Sequence, residues 1–178
     1  MPESSEGEKH PSPERGQDLV TRDTPVQVAW RLCSEEPVTI ARSANIKDLA
    51  ERIVECRGVN TVAVVNEDGR LVGVIPVRLL LDELFFRVAP EGFLTRILSD
   101  GDMGELSKIS TAQTAGELME APAFVTMDDS VGDAYEIMRE RRLEGVPIVD
   151  AEKKPVGYLD RFQLLSIWLE THRSKKEG

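Results

Sequence analysis

Apolar and polar positions along this chain follow two periods, and the order in which those periods change occurs twice. Asn45, with Asp48 three residues on, has the form of a helix N-cap. Ile46, Leu49, Ala50, Ile53 and Val54 follow at i, i+3, i+4, i+7 and i+8, so a helix with one buried face is expected. Gly58 stops it. Thr61 to Val65 is then a β-branched run, Asn66 to Gly69 a turn, and Leu71 to Ile75 a second apolar run, which together predict a hairpin. Pro76 fits the first turn of a further helix with Leu79, Leu80, Leu84 and Phe85 on its apolar face.

The same order returns downstream. Ala123 to Met127 reads as a strand, Ser130 with Asp133 as a capping box, and Val131, Ala134, Ile137 and Met138 as a helical face. Gly145 to Val149, a turn over Asp150 to Lys154, and Val156 to Leu159 make the second hairpin, and Arg161 to Glu170 the last helix. A shift of 84 positions places Ala50 on Ala134, Ile53 on Ile137, Val62 on Val146, Gly73 on Gly157 and Leu81 on Leu165. Each copy offers a three-stranded sheet whose open face needs a cover, and two copies can cover each other.

The rest of the chain frames these copies. Val26 to Cys33 predicts a short lead-in helix before the strand Val38 to Ile40, and Thr114 to Met119 repeats it. The expected organisation is a tail over 1–24, a first unit over 25–87, a connector with a short helix through Phe93, Leu94, Ile97 and Leu98 over 88–113, a second unit over 114–171 and a tail over 172–178. The first tail is rich in Pro, Ser and charge and poor in aliphatic residues, so disorder is expected there.

Composition narrows the class. Among 178 residues, 22 Lys and Arg stand against 32 Asp and Glu, a net charge of −10 that repels nucleic-acid backbones and anionic lipid. No apolar run is long enough to span a membrane, and the N-terminus lacks the charged and apolar regions of a signal peptide. Two cysteines, Cys33 and Cys56, suit a reducing cytoplasm as two small buried hydrophobes, although spacing alone leaves a bridge between them open. His10 and His172 offer nothing for a metal or histidine-based centre.

The segment Arg142 to Asp150 (RLEGVPIVD), followed after six residues by Gly157-Tyr158-Leu159, resembles the CBS-domain pair, often called a Bateman module. The Gly73 to Val77 stretch, the start of the connector at Val88 and the Leu164 to Leu169 ending resemble a bacterial and archaeal subgroup that is little more than the pair itself. The resemblance covers about residues 26 to 170. It implies an α/β (α+β) fold of two β-α-β-β-α units packed through their sheets with pseudo-two-fold symmetry. It also implies two inter-repeat clefts that in many relatives hold adenosine-containing ligands such as AMP, ATP or S-adenosylmethionine, so that a ligand of that class, with ADP and NAD among the candidates, is expected here, together with a homodimer and no required cofactor.

In such relatives a Gly-x-x-Ser/Thr-x-x-Asp motif gives a hydroxyl to phosphate and a carboxylate to ribose. Here those positions are Pro76 and Leu79 in the first copy and Asp160 and Gln163 in the second. The second is the better candidate, because Gln163 can accept from a ribose and Arg161 can balance phosphate, whereas Asp160 argues against an anion unless it is paired. Candidate ligand contacts are therefore Thr126, Gly145, Val146, Pro147, Asp160, Arg161 and Gln163, with Thr39, Thr61, Val62, Pro76 and Arg78 around the first motif.

Other constellations have plainer readings. Asp128-Asp129 and Glu35-Glu36 suit helix ends better than acid–base chemistry. Arg139, Arg141 and Arg142 among Glu136, Glu140 and Glu144 suit helix-surface ion pairs, or an anion contact if they turn towards the cleft. Trp30 and Trp168 fit subunit packing or a core equally well. No GxSxG, Walker loop, HExxH or GxGxxG is present, and no catalytic residue is assigned. Two functions remain: a ligand-sensing regulatory module, and a dimerisation or docking module whose clefts have lost ligand chemistry.

Overall fold

The computed structural model describes residues 20–56, 58–88 and 112–173. Helix α1 (Val26–Cys33) precedes the first repeat, which runs β1 (Thr39–Ala41), α2 (Ile46–Glu55), β2 (Thr61–Val65), β3 (Leu71–Pro76) and α3 (Val77–Val88). Helix α4 (Ala115–Leu118) precedes β4 (Val125–Thr126), α5 (Val131–Glu140), β5 (Gly145–Val149), β6 (Pro155–Asp160) and α6 (Arg161–Arg173). The expected connector helix, and most of the expected N-terminal tail, lie outside the described residues.

Each repeat forms a three-stranded sheet, β1-β2-β3 and β4-β5-β6, with a parallel first pair and an antiparallel hairpin. One core contains Ala63, Leu71 and Val74 of the first sheet together with Val146, Ile148 and Leu159 of the second, so the repeats bury their sheet faces against each other. A second core lies within the first repeat around Leu49, Val62, Val64, Ile75 and Leu80. This is the mixed α+β pair that the repeat implied.

The 84-residue shift is correct for the hairpins but not for the helices before them. Thr61 pairs with Pro76 as Gly145 pairs with Asp160. The caps, however, are Asn45 and Ser130, and α2 and α5 end at Glu55 and Glu140, all 85 apart. Ala50 therefore corresponds to Tyr135, and Leu49 to Ala134. The second copy is one residue shorter between helix and hairpin, where α5 ends in a Schellman turn: Arg142 takes φ 53, its N–H bonds Arg139 O and that of Leu143 bonds Met138 O at 2.8 Å.

The lead-in helices cross over. Val26 and Gln27 of α1 donate to Asp129 O and Met127 O of the second repeat, while Ala115 and Gly116 of α4 donate to Ala44 O and Arg42 O of the first. Val26 and Ala29 accordingly belong to the core that the second sheet dominates, and Ala115 and Leu118 to the first repeat's core. Cys33 and Cys56 are half-buried thiols packed against different cores, rather than fully buried as expected.

Boundaries differ from expectation in several elements, including β1, which runs Thr39–Ala41 instead of Val38–Ile40. Pro76 closes β3, still paired to Thr61, instead of opening α3. Strand β4 keeps only two of five expected residues, because Thr126 turns to bond Asp129. Helix α6 continues to Arg173.

Candidate functional site

The segment from Gly157 to Gln163 carries the second motif through the end of β6 into α6. Two of its polar side chains, Asp160 and Gln163, are turned inward. Gln163 Oε1 accepts from the Asp160 N–H, and Asp160 Oδ1 accepts from the Gln163 N–H, both at 2.7 Å. This reciprocal pair caps α6 and leaves both residues buried. The Gln163 oxygen expected to face a ribose is thus taken by the backbone. Arg161 does not pair with Asp160 but reaches Glu144 at 3.4 Å and Met138 O at 3.5 Å. The D-x-x-Q spacing is the same i, i+3 signature read at Ser130 and Asp133, and it could have revealed this box from sequence.

Tyr158, which sequence reasoning did not select, completes this cluster. It is buried, and its hydroxyl lies over Gly145, on the neighbouring strand, and beside Thr61 and the Asn60 backbone of the first repeat. Burial, with the Asp160 carboxylate nearby, pushes its pKa up to about 12, against the smaller opposing influence of Thr61 and the Asn60 backbone. The first repeat has Val74 and Thr61 where the second has Tyr158 and Gly145, a large-for-small exchange at diagonal positions of the hairpin. That exchange was the available sequence signal.

The first motif is built differently. Pro76 is buried and Leu79 half-buried, so no hydroxyl or carboxylate stands at either position. Arg78, on the exposed side of α3, reaches across to Glu120 at 3.5 Å, and the two side chains are 50% and 36% exposed. Glu120 exchanges two backbone hydrogen bonds with Val74, so the ion pair lies where the segment entering the second repeat crosses β3. The pseudo-symmetric crossing is Glu35 O, which accepts from Tyr158 N and from the Trp30 indole. Met119 lies on Gly73 as Trp30 lies on Gly157, close approaches that a Cβ would block.

The structure brings Thr61, Gly145, Asp160 and Gln163 together at one seam, with Pro76 paired to Thr61. Val62, Val146 and Pro147 are buried in their sheets, and Thr39 is half-buried beside Ala63. Thr126 stands apart: it pairs beside Val149, four residues from Gly145, about 13 Å along the strand, and both its N–H and hydroxyl donate to Asp129. Glu136, expected to pair within α5, pairs with Arg22 instead. An open cleft of about 640 Å³, with Arg42, Asn66, Asp68 and Glu117 in its wall, lies at the far end of the first sheet and contains no sequence candidate. Among the described residues no cluster of His, Cys, Asp and Glu could hold a metal ion, and no helix is long and apolar enough to cross a membrane.

Comparison with known proteins follows the same lines. A family model described as the CBS domain matches residues 26–85 and 115–170. A CBS domain-containing protein from Thermotoga maritima is 27% identical, with 84% of this chain and 97% of that one covered and a TM-score of 0.67. A CBS domain protein from Pyrobaculum aerophilum, complexed with AMP, is 22% identical, with coverages of 84% and 98% and a TM-score of 0.58. A CBS domain pair solved with 5′-methylthioadenosine and S-adenosyl-L-methionine is 21% identical, with coverages of 83% and 97% and a TM-score of 0.59. At these identities the last two bear on the fold. No curated protein matches the chain.

Proposed function

Because the chain belongs to the CBS domain family and carries two repeats of the domain, we propose that it is a non-catalytic regulatory module, acting in the cytoplasm, that takes an adenosine-containing ligand in an inter-repeat cleft. The observation that carries this reading is the Arg78–Glu120 ion pair, which joins the first repeat's last helix to the segment entering the second. A half-exposed pair of this kind contributes only about 0–1 kcal/mol. A ligand phosphate can therefore take Arg78 from Glu120 at little cost and alter the joint between repeats, which a partner protein reads as a population shift. AMP and S-adenosylmethionine in the structural relatives support the ligand class. Calorimetric titration with AMP, ADP, ATP, NAD and S-adenosylmethionine tests it: saturable binding that Arg78→Ala weakens at least tenfold supports the reading, and silence across the panel removes it.

A second reading, homodimerisation or protein docking without a ligand, is favoured by a different observation. Helix α6 exposes Phe162, Leu165 and Leu169 along one stripe while burying Gln163 and Ile167 on the other. An apolar surface on both sides of a helix suits contact with a second chain.

A further inference from the structure

Two glycines, each followed four residues later by a glutamate, receive an arginine in the same way. Gly132 donates its N–H to Arg22 O and Gly116 donates its N–H to Arg42 O, both at 2.8 Å. A Cβ on either glycine would strike the Cγ of the arginine that crosses it, at 2.6 Å in the case of Gly116. Neither glycine has a positive φ, so space and not backbone freedom is what each supplies. Beyond this point the two arrangements part. Helix α5 runs on to Glu140, so Glu136 stands one turn past Gly132 and pairs with Arg22. Helix α4 stops at Leu118, and Glu120 is carried instead to β3, where it exchanges backbone bonds with Val74 and pairs with Arg78. The Glu117 carboxylate accepts from the Gln113 N–H at 2.6 Å. Arg42, its stem laid across Gly116, therefore makes no ion pair among the described residues.

Arg42 lines the open cleft of about 640 Å³ at the far end of the first sheet, a volume inside the range of roughly 300–1,000 Å³ typical of small-molecule sites. The wall carries both signs of charge. Arg42 stands on the turn after β1, Glu67 and Asp68 on the β2–β3 turn, and Glu117 on α4. Asn66 Oδ1 accepts from the N–H groups of Asp68 and Arg70, at 3.1 and 2.9 Å, and so fixes the turn that bears the first two carboxylates. Neither of these carboxylates makes an ion pair among the described residues. The N–H groups of Ala115 and Gly116 are already bonded to Ala44 O and Arg42 O, so the charged donor left for an anion is the guanidinium. We infer that this cleft is a binding site for a free basic amino acid, separate from both motifs and independent of the adenosyl-ligand reading. The ligand carboxylate takes the two-pronged guanidinium of Arg42, and its ammonium groups face Glu67, Asp68 and Glu117. Three carboxylates to one guanidinium favour a lysine- or arginine-type side chain and oppose a nucleotide phosphate.

The test is calorimetric titration of the full chain with L-lysine, L-arginine, L-glutamate and L-lysinamide, for wild type, Arg42→Ala and Glu67→Gln/Asp68→Asn. Expected is saturable binding of one L-lysine or L-arginine per chain, weakened at least tenfold in each variant. L-lysinamide, which lacks the carboxylate, should bind wild type at least tenfold more weakly than L-lysine and should not distinguish wild type from Arg42→Ala. Lysinamide binding as tight as that of lysine, or an affinity unchanged in either variant, overturns the inference. L-glutamate binding more tightly than L-lysine, or silence with both basic amino acids, also overturns it. The three substituted side chains are exposed, so the variants should keep the melting temperature of wild type. Arg42→Lys, which retains stem and charge but loses the fork, replaces Arg42→Ala if that variant fails to fold. Repeating the lysine titration with AMP present separates this site from the adenosyl-ligand reading. Undisturbed lysine binding supports a distinct cleft, whether or not AMP itself binds, and competition by AMP overturns it.

Discussion

Gly145 lies beneath the hydroxyl end of the Tyr158 side chain, and the bare Cα is what admits the phenol to the seam between repeats. Adding a single methyl forces the ring, or the β5–β6 pair that carries it, to shift. Gly145→Ala should destabilise the fold by about 1–3 kcal/mol, the range for overpacked cores. Relief of the clash in Gly145→Ala/Tyr158→Val should make the double variant more stable than the sum of the single effects predicts. Urea denaturation of the four proteins gives the coupling; strictly additive effects would show that the two side chains do not share this space.

Tyr158 also sets an alkaline limit. Its pKa is about 12 in the fold against an ordinary value of 10, so the folded state holds the phenol neutral. The stabilisation is complete below pH 10 and is lost as pH rises towards 12, at about 1.4 kcal/mol per unit. Tyr158→Phe should lack this component and should lose less stability than wild type between pH 10 and 12. Parallel stability curves for the two proteins across that interval would mean that the phenol is not buried as described.

Arg142 occupies a left-handed position that glycine fills most easily, as Gly58 does with φ 97 at the 84-residue equivalent. Arg142→Gly should preserve the Schellman bonds while relieving backbone strain, and so stabilise the protein by about 1 kcal/mol. A lower melting temperature in the variant would instead assign the Arg142 side chain a contact that outweighs its strain.

The Ser130–Asp133 box makes the start of α5 sensitive to acid. Hydrogen bonds from the Ser130 hydroxyl and N–H hold the Asp133 pKa below its ordinary value of 3.8. The carboxylate's contribution is therefore present above that value and fades as pH falls below it. Ser130→Ala should cost about 1 kcal/mol near neutral pH, and the gap from wild type should shrink in acid. A pH-independent gap in chemical denaturation would show that the carboxylate plays no part.

Phe162 is 70% exposed and Leu165 53% on the outer stripe of α6. If that stripe joins two chains, Phe162→Glu/Leu165→Glu should convert a dimer into a monomer in sedimentation velocity without lowering the melting temperature of each chain's core. A dimer that survives both charges would place the interface elsewhere.

Much of the local architecture was legible because it rests on interactions a few residues long. The Asn45 and Ser130 caps bond residues three positions on, and the hairpins turn at Asn66 and Asp150, whose side chains accept from the turn backbone. The pair of repeats was legible for the same reason, since hydrophobic spacing survives in both copies. The one-residue offset of the helices was not, because Ala50 and Ala134 match in identity while cap geometry aligns Ala50 with Tyr135.

The site divides along the same line. Sequence alone determined the elements, their repetition and the loss of the usual hydroxyl and carboxylate at Pro76 and Leu79. Tertiary structure decided that α1 and α4 cross to opposite repeats, that Arg78 meets Glu120, and that Tyr158 reaches the seam at Thr61. Those relationships join residues tens of positions apart, and spacing along the chain carries no record of which distant backbone a side chain will face. Only the packing of two sheets, each burying its apolar face against the other, brings them within contact.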